Sequence, residues 1–284
     1  MFEVKRKKPT RRRFLKSAGW AAGLAAGGGM FDSIAIEPRW LMVTRPAAGL
    51  ADLGDGWLGA KIAHLTDLHA GRLCGAEYLS RVVETTNAAS PDLIVLTGDF
   101  VTRRSAVRPE LTDVLSALHA PGGKFAVLGN HDHAANPRRI QRLLEAADIE
   151  VLTNTRRVLR RGGDPLCLAG VDDLRRGRPD LRAALAGVDE AVPRLLLSHN
   201  PDMAEMIPPD LRVDLLICGH THGGQVRLPF GPPLFMPVRH RKYDAGMVQG
   251  PRCPVYVSRG IGMVGVPIRL NCRPELPVFT LRSA

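Results

Sequence analysis

A chain of 284 residues with 45% hydrophobic and 24% charged residues has the balance of a soluble globular protein able to bury a full core, which excludes global disorder and fibrous architecture. Its net charge of +11 would point to nucleic acid or membrane if it were spread over the fold, but residues 1–35 hold eight Lys and Arg against Glu3 and Asp32. That places +6 in the N-terminal segment and only +5 in the rest.

The N-terminus reads as an address. TRRRFLK (10–16) precedes SAGWAAGLAAGGGMF (17–31), an uncharged Ala/Gly-rich stretch too short and too weakly apolar for a membrane span, which needs about 20 apolar residues. This order resembles a twin-arginine export signal, with Arg11 and Arg12 as the pair, then Arg13, Phe14, Leu15 and Lys16. The resemblance implies passage through the twin-arginine export machinery to the periplasmic or outer face of the cytoplasmic membrane. Ser33-Ile34-Ala35 offers a small-x-small cleavage site; cleavage there and retention as an anchor both fit. Residues 36–284 are then the folded domain.

From residue 36 one local design repeats. KIAHLT (61–66), LIVLT (93–97), FAVL (125–128), RLLLS (194–198) and VDLLIC (213–218) have the length and near-continuous apolarity of strands buried on both faces. Between the first of them lie GAEYLSRVVETTNAA (75–89) and PELTDVLSALHA (109–120), with Leu or Val returning at helical spacings. This alternation predicts an α/β fold. After residue 222 the character changes: LPFGPPLFMPV (228–238), PVYVSRGIG (254–262) and PVFTLR (277–282) read as later strands with long turns, forming a second sheet. Cys74, Cys167, Cys218, Cys253 and Cys272 form no CxxC pair and are read as small buried or half-buried residues.

Chemistry collects at the strand ends. Asp67 and His69 follow the first run, Asp99 the second, Asn130, His131, Asp132 and His133 the third, His199 the fourth, and His220 and His222 the fifth. In open α/β sheets ligands gather at the carboxyl ends of strands, so five loops can deliver these groups to one place. Carboxylate, carboxamide and imidazole without thiolate suit Mn, Fe or Zn.

DLH, GD, GNHD, a lone His and GHTH in this order resemble the signature of the calcineurin-like metallophosphoesterases. The flanking GHTHGGQ, SHNPD, AGVDD and SRGIG look like its exported, single-domain branch. The resemblance implies a two-sheet α/β/β/α sandwich of the metallo-dependent phosphatase type. It also implies two divalent ions, with Mn the first choice: Asp67, His69, Asp99 and His222 on one, Asp99, Asn130, His199 and His220 on the other. Two ions that share a carboxylate and a water can lower the pKa of that water and clamp phosphoryl oxygens, making a bridging hydroxide the nucleophile. His131 is implied to protonate the leaving oxygen, with Asp132 orienting it.

Other polar residues receive plainer readings. His64 packs in its strand, His119 lies near a helix end, and His133 and His240 have no assigned task. Asp172 and Asp173 line the site or make a turn, Asp202 begins a helix, and Arg269 is a candidate contact for substrate phosphate. The stretch 228–243 joins Phe230, Leu234, Phe235 and Met236 to Arg239, Arg241 and Lys242. It reads either as a bilayer contact beside a phospholipid or lipid-linked nucleotide site, or as a Pro-fixed loop on the sheet. The residual +5, without a dense basic face, disfavours a nuclease. A catalytically silent protein of the same fold should carry damaged ligands, and none of the seven is replaced. The expected activity is phosphodiester or pyrophosphate hydrolysis.

Overall fold

The computed structural model describes residues 27–102, 110–229 and 231–284. Arg11, Arg12 and Phe230 lie outside the described residues. Among the described residues no helix is long and apolar enough to cross a membrane.

Two mixed sheets pack face to face. The first has the order β1 (Met42–Thr44), β13 (Glu275–Ser283), β3 (Lys61–Leu65), β4 (Leu93–Thr97), β5 (Lys124–Val127), β6 (Glu150–Val151), with β2 (Ala47–Leu50) also paired to β13. The second runs β11 (Gly246–Gln249), β12 (Pro254–Val257), β10 (Leu215–Cys218), β9 (Arg194–Leu197), β8 (Asp164–Gly170), β7 (Thr155–Arg161). β3 to β6 are mutually parallel, as are β8, β9, β10 and β12.

The near-continuous apolar runs follow from burial on both faces, because successive side chains alternate between them. In β4, Leu93 and Val95 enter the core between the sheets with Leu195, Leu197, Leu215, Ile217 and Phe279. Ile94 and Leu96 face the other way, onto Leu79, Val82 and Val83 of helix Ala76–Ala88 and Ile140 and Leu144 of helix Pro137–Ala146. On the outer face of the second sheet, Leu196 and Leu216 pack on Ala184 and Leu185 of the short helix Leu181–Leu185 and on Met203 and Ala204. The result is the expected α/β/β/α sandwich.

Its division between sheets differs from the sequence expectation. The second sheet begins at β7, well before residue 222, and takes in β9 and β10; PVFTLR returns to the first sheet as part of β13, antiparallel to β3. β7 carries five charged or polar residues in TRRVLRR and is mostly exposed at a sheet edge, so it lacks the apolar signal of a buried strand.

Residues beside the expected boundary at 35 touch the folded domain. The Arg269 amide donates to the Ser33 carbonyl at 2.9 Å, and the buried Glu37 carboxylate accepts from the amides of Asn271 and Cys272. Phe279 is fully buried between the sheets, edge-on to Tyr256, so Phe279→Ala should lower stability by about 3–5 kcal/mol. A urea-denaturation midpoint close to that of the parent would contradict the placement of this core.

Candidate metal centre

The loops after β3, β4, β5, β9 and β10 converge at one edge of the sandwich. Asp67, His69, Asp99, His220 and His222 all have positive φ, between 44° and 71°. Non-glycine residues are held there only at a cost of about 1–3 kcal/mol each, and such strain concentrates at functional sites. It turns the chain sharply at each strand end and aims the side chains inward. The motif glycines make room for the carboxylates: a Cβ at Gly129 would lie 2.3 Å from Asp99 Oδ1, and one at Gly219 2.3 Å from Asp67 Oδ2.

Six of the seven expected ligands form two buried clusters, Asp67 with His69 and His222, and Asp99 with His199 and His220. Asp99 Oδ2 lies 3.6 Å from His69 Nε2 and 3.3 Å from His199 Nε2, so it stands between the clusters. Asn130 lines the cavity above them, and its buried Oδ1 has no hydrogen-bond partner among the described residues. That orphaned acceptor, like the donor set as a whole, fits a cation.

Ring orientation makes the strongest case. His199 Nδ1 is 2.7 Å from the Thr97 carbonyl, and His220 Nε2 is 3.1 Å from the Pro237 carbonyl. Each of those nitrogens must carry the proton, because a carbonyl only accepts. The remaining nitrogens, His199 Nε2 and His220 Nδ1, then point lone pairs at one another across 3.0 Å. Something positive has to lie between them. In the metal-free site a proton fills that place: burial opposes it, but the Asp99 carboxylate and its hydrogen bond outweigh burial and raise the His199 pKa to about 10. His69 Nε2 and His222 Nε2 approach to 3.1 Å in the other cluster.

The remaining titrations follow from burial and charge. Burial pushes Asp67 up to about 6 against the pull of His199. Asp99 would also rise by burial, but His199, His69 and His131 hold it well below the carboxylate range. Burial lowers His69 to about 4 and His220 to about 3, and holds His222 well below the ordinary imidazole range. These three imidazoles are therefore neutral around the ionised Asp99, as a divalent ion needs, while His199 must lose its proton to join them.

His131 lies beside this centre. Its amide donates to Asp99 Oδ1 at 2.8 Å, its ring stands edge-on to His69 with centroids 4.9 Å apart, and it lines the cavity. Asp132 does not take the expected orienting role. Its Oδ2 accepts from the amides of Asp99 (2.7 Å) and Gly129 (2.9 Å), and its Oδ1 from Phe100 (2.9 Å) and Val101 (3.3 Å). The fully buried carboxylate staples the β4 loop to the β5 loop, keeping Asp99 and Asn130 in register.

Arg269 is a second correction. It is 0% exposed, and its guanidinium donates to the carbonyls of Cys272, Arg259, Gly260 and Gly262. It closes the 259–272 loop and does not reach the cavity. His133 pairs with Asp172 at 2.8 Å, and His240 with Asp202 at 3.0 Å. His64 is buried and bonds Thr97 Oγ1 at 2.8 Å, as its place in the strand implies. Asp202 sits in the 3-10 helix Pro201–Met206 and also accepts from the amides of Arg239 and His240. The centre opens into a cavity of about 580 Å³ whose lining includes Val226, Leu234, Phe235, Val264 and Val266 together with Arg175. Sequence reasoning missed Arg175, which follows β8, a strand it did not register; AGVDD marks its end.

A match to the family of calcineurin-like phosphoesterases covers residues 60–224. The chain belongs to that family. It is 36% identical over 284 residues to a Bacillus subtilis (strain 168) protein named as the metallophosphoesterase YkuE, covering 98% of this chain and 99% of that one. It is 35% identical over 276 residues to the phosphodiesterase YaeI of Escherichia coli (strain K12), covering 96% and 99%. Among solved structures, the Thermus thermophilus sulfate thiohydrolase SoxB shares the fold at a TM-score of 0.50 and 14% identity, over 79% of this chain and 57% of that one. The protein is a metal-dependent phosphoester hydrolase. The residues present fit two divalent ions, held by the two clusters with Asp99 between them.

Metal loading at neutral pH should release protons, because His199 keeps one up to about pH 10 and must lose it to ligate. Occupancy should fall as pH drops through about 6, where Asp67 takes a proton. Calorimetric Mn titrations in buffers of different ionisation enthalpy check both; heats independent of the buffer would refute the proton release.

Proposed function

We propose that the protein hydrolyses phosphodiesters or pyrophosphates with two divalent ions, Mn first among them, at the centre built around Asp99. The observation that carries this reading is the two pairs of facing imidazole nitrogens, 3.0 and 3.1 Å apart, on either side of the Asp99 carboxylate. Asp67, His69, Asp99 and His222 would hold one ion, and Asp99, Asn130, His199 and His220 the other. Bound there, the ions supply Lewis acidity and a nucleophile drawn from water at neutral pH.

The chain's own residues do the rest. Asp99 sets the separation of the two clusters, and Asp132 fixes Asp99 and Asn130 through the backbone. His131, at the rim of the same cavity, donates a proton to the leaving oxygen. Arg175 is the only Lys or Arg among the described residues lining the cavity, which suits a diester, with a single negative charge at phosphorus, better than a dianionic monoester. The relationship to a protein named phosphodiesterase favours the same choice.

Phospholipids and lipid-linked nucleotides are the proposed substrate classes. Leu234 and Phe235 are exposed at the cavity mouth, while Met236 and Tyr243 of the same stretch are buried and Tyr243 donates to Glu205 at 2.7 Å. An anchored stretch with an apolar tip and Arg239, Arg241 and Lys242 behind it suits peripheral contact with a bilayer. The N-terminal segment would bring the protein to the outer side of the cytoplasmic membrane through the twin-arginine machinery.

The test of function is hydrolysis of diesters, monoesters and pyrophosphates by the metal-loaded protein. His131→Ala should keep the metals and lose about 10² to 10⁴ in rate on alkoxide leaving groups, with a smaller loss on p-nitrophenyl esters, which need no proton. Equal losses on both would remove His131 as the acid. For export, replacing Arg11 and Arg12 by Lys should leave precursor in the cytoplasm on cell fractionation; unchanged export would rule out the twin-arginine route.

A further inference from the structure

The cavity above the metal centre holds a cation that the ligand set does not use. The arginines nearby are engaged elsewhere: Arg227 pairs with Asp244 at 2.9 Å, Arg259 with Glu275 at 3.3 Å, and Arg269 with four backbone carbonyls. Arg175 makes no ion pair among the described residues. Its Nη1 stands 3.4 Å from the Pro237 carbonyl and 3.4 Å from His220 Nε2. That imidazole nitrogen already donates to Pro237, so the second contact sets two donors side by side and leaves the guanidinium without an anion.

The loop beneath Arg175 is clamped. Asp173, itself buried, accepts from the amides of Arg175 at 3.0 Å and Arg176 at 2.7 Å. Asp172 accepts from Arg178 N at 2.7 Å and pairs with His133 at 2.8 Å. His133 belongs to helix Asn130–Ala135, which begins with a proposed ligand, so the loop is tied directly to the metal-bearing frame. A guanidinium on such a base presents a planar fork of donors suited to two phosphoryl oxygens.

Other residues lining the cavity are apolar. Leu234 and Phe235 are 60% and 72% exposed, although the chain that carries them is fixed on both sides. Arg241 donates to the Pro233 carbonyl at 2.9 Å, and the Arg239 and His240 amides bond Asp202. With Val226, Val264 and Val266 they form an apolar surface that faces the same space as Arg175.

We propose that Arg175 holds the phosphoryl oxygens of the substrate while the Val226, Leu234, Phe235, Val264 and Val266 wall receives an apolar ester arm, so that the protein selects diesters with one hydrophobic substituent. This rests on the phosphodiesterase reading above and adds the residues that decide among diesters. The cation stands beside His220, one of the proposed ligands, and so bears on oxygens bound near the metals. The wall bears only on the substituent.

The test uses the full chain loaded with Mn and two series that differ in one alkyl arm. Methyl, hexyl and decyl p-nitrophenyl phosphates report turnover. The matching alkyl(methyl)phosphinates, which keep the single negative charge but carry no ester bond to hydrolyse, report binding by calorimetry. Phosphinate affinity is expected to rise about tenfold from methyl to hexyl, as part of the arm leaves water. Phe235→Ser should flatten that rise. Arg175→Met should weaken every member by about tenfold or more, with Arg175→Lys recovering part of the loss. Arg175 and Phe235 are both exposed, so the variants should fold, and their denaturation midpoints verify it. Equal affinity across the alkyl series, or an Arg175→Met protein that binds like the parent, overturns the proposal whatever the turnover. Absent turnover with this affinity pattern intact upholds the proposal and counts against the phosphodiesterase reading alone.

Discussion

His199 Nε2 and His220 Nδ1 face each other across 3.0 Å because two backbone carbonyls, of Thr97 and Pro237, turn the rings that way. Two lone pairs at that distance repel unless a positive charge lies between them, and the neighbouring Asp99 carboxylate makes the demand stronger. Much of the surrounding architecture answers to this arrangement. Thr97 ends β4 in the first sheet, whereas His199 and His220 follow β9 and β10 in the second. The sheets must therefore pack face to face before the site exists. The strained turns at Asp67, His69, Asp99, His220 and His222 then bring the remaining donors to the same edge.

A frame that holds strained turns needs strong backbone anchors, and buried side chains supply them. Asp132 accepts from four amides of two loops, and Arg269 donates to four carbonyls of one. Each would be expensive to bury without partners, and each is bonded to backbone on several sides. In the sequence Asp132 sits inside GNHD and Arg269 in the PIR stretch, and they read as a catalytic and a substrate-binding group. What separates them from His131 and Arg175 is direction: His131 and Arg175 line the cavity, while Asp132 and Arg269 are turned into the protein.

The convergence of these candidate donors was legible because each follows a strand signal, and Asp99, Asn130, His220 and His222 also sit in short motifs with glycine. Gly129 and Gly219 are glycine for a physical reason visible in the structure, since a side chain at either would strike a ligand carboxylate. Arg175 was not legible. It lies after β8, whose DPLCLAG begins with polar and proline residues and whose partner β7 is a charged edge strand, so neither strand stands out by apolar run length. The role of Pro237 was hidden as well, because it acts through its carbonyl, which every residue possesses.

Sequence alone determined the residue types, their order behind strands, and the alternation of strand and helix that makes an α/β fold, because burial periodicity and metal chemistry both act through side-chain identity. Tertiary structure decided which sheet each strand joins, sending β13 back to the first sheet and drawing β7 and β8 into the second. It also decided which nitrogen of each histidine in the Asp99 cluster is turned toward its neighbour, and whether a charged side chain meets the cavity or the backbone. Those outcomes depend on contacts between residues more than a hundred positions apart, such as His199 with Thr97, and no local pattern encodes the direction in which a side chain finally points.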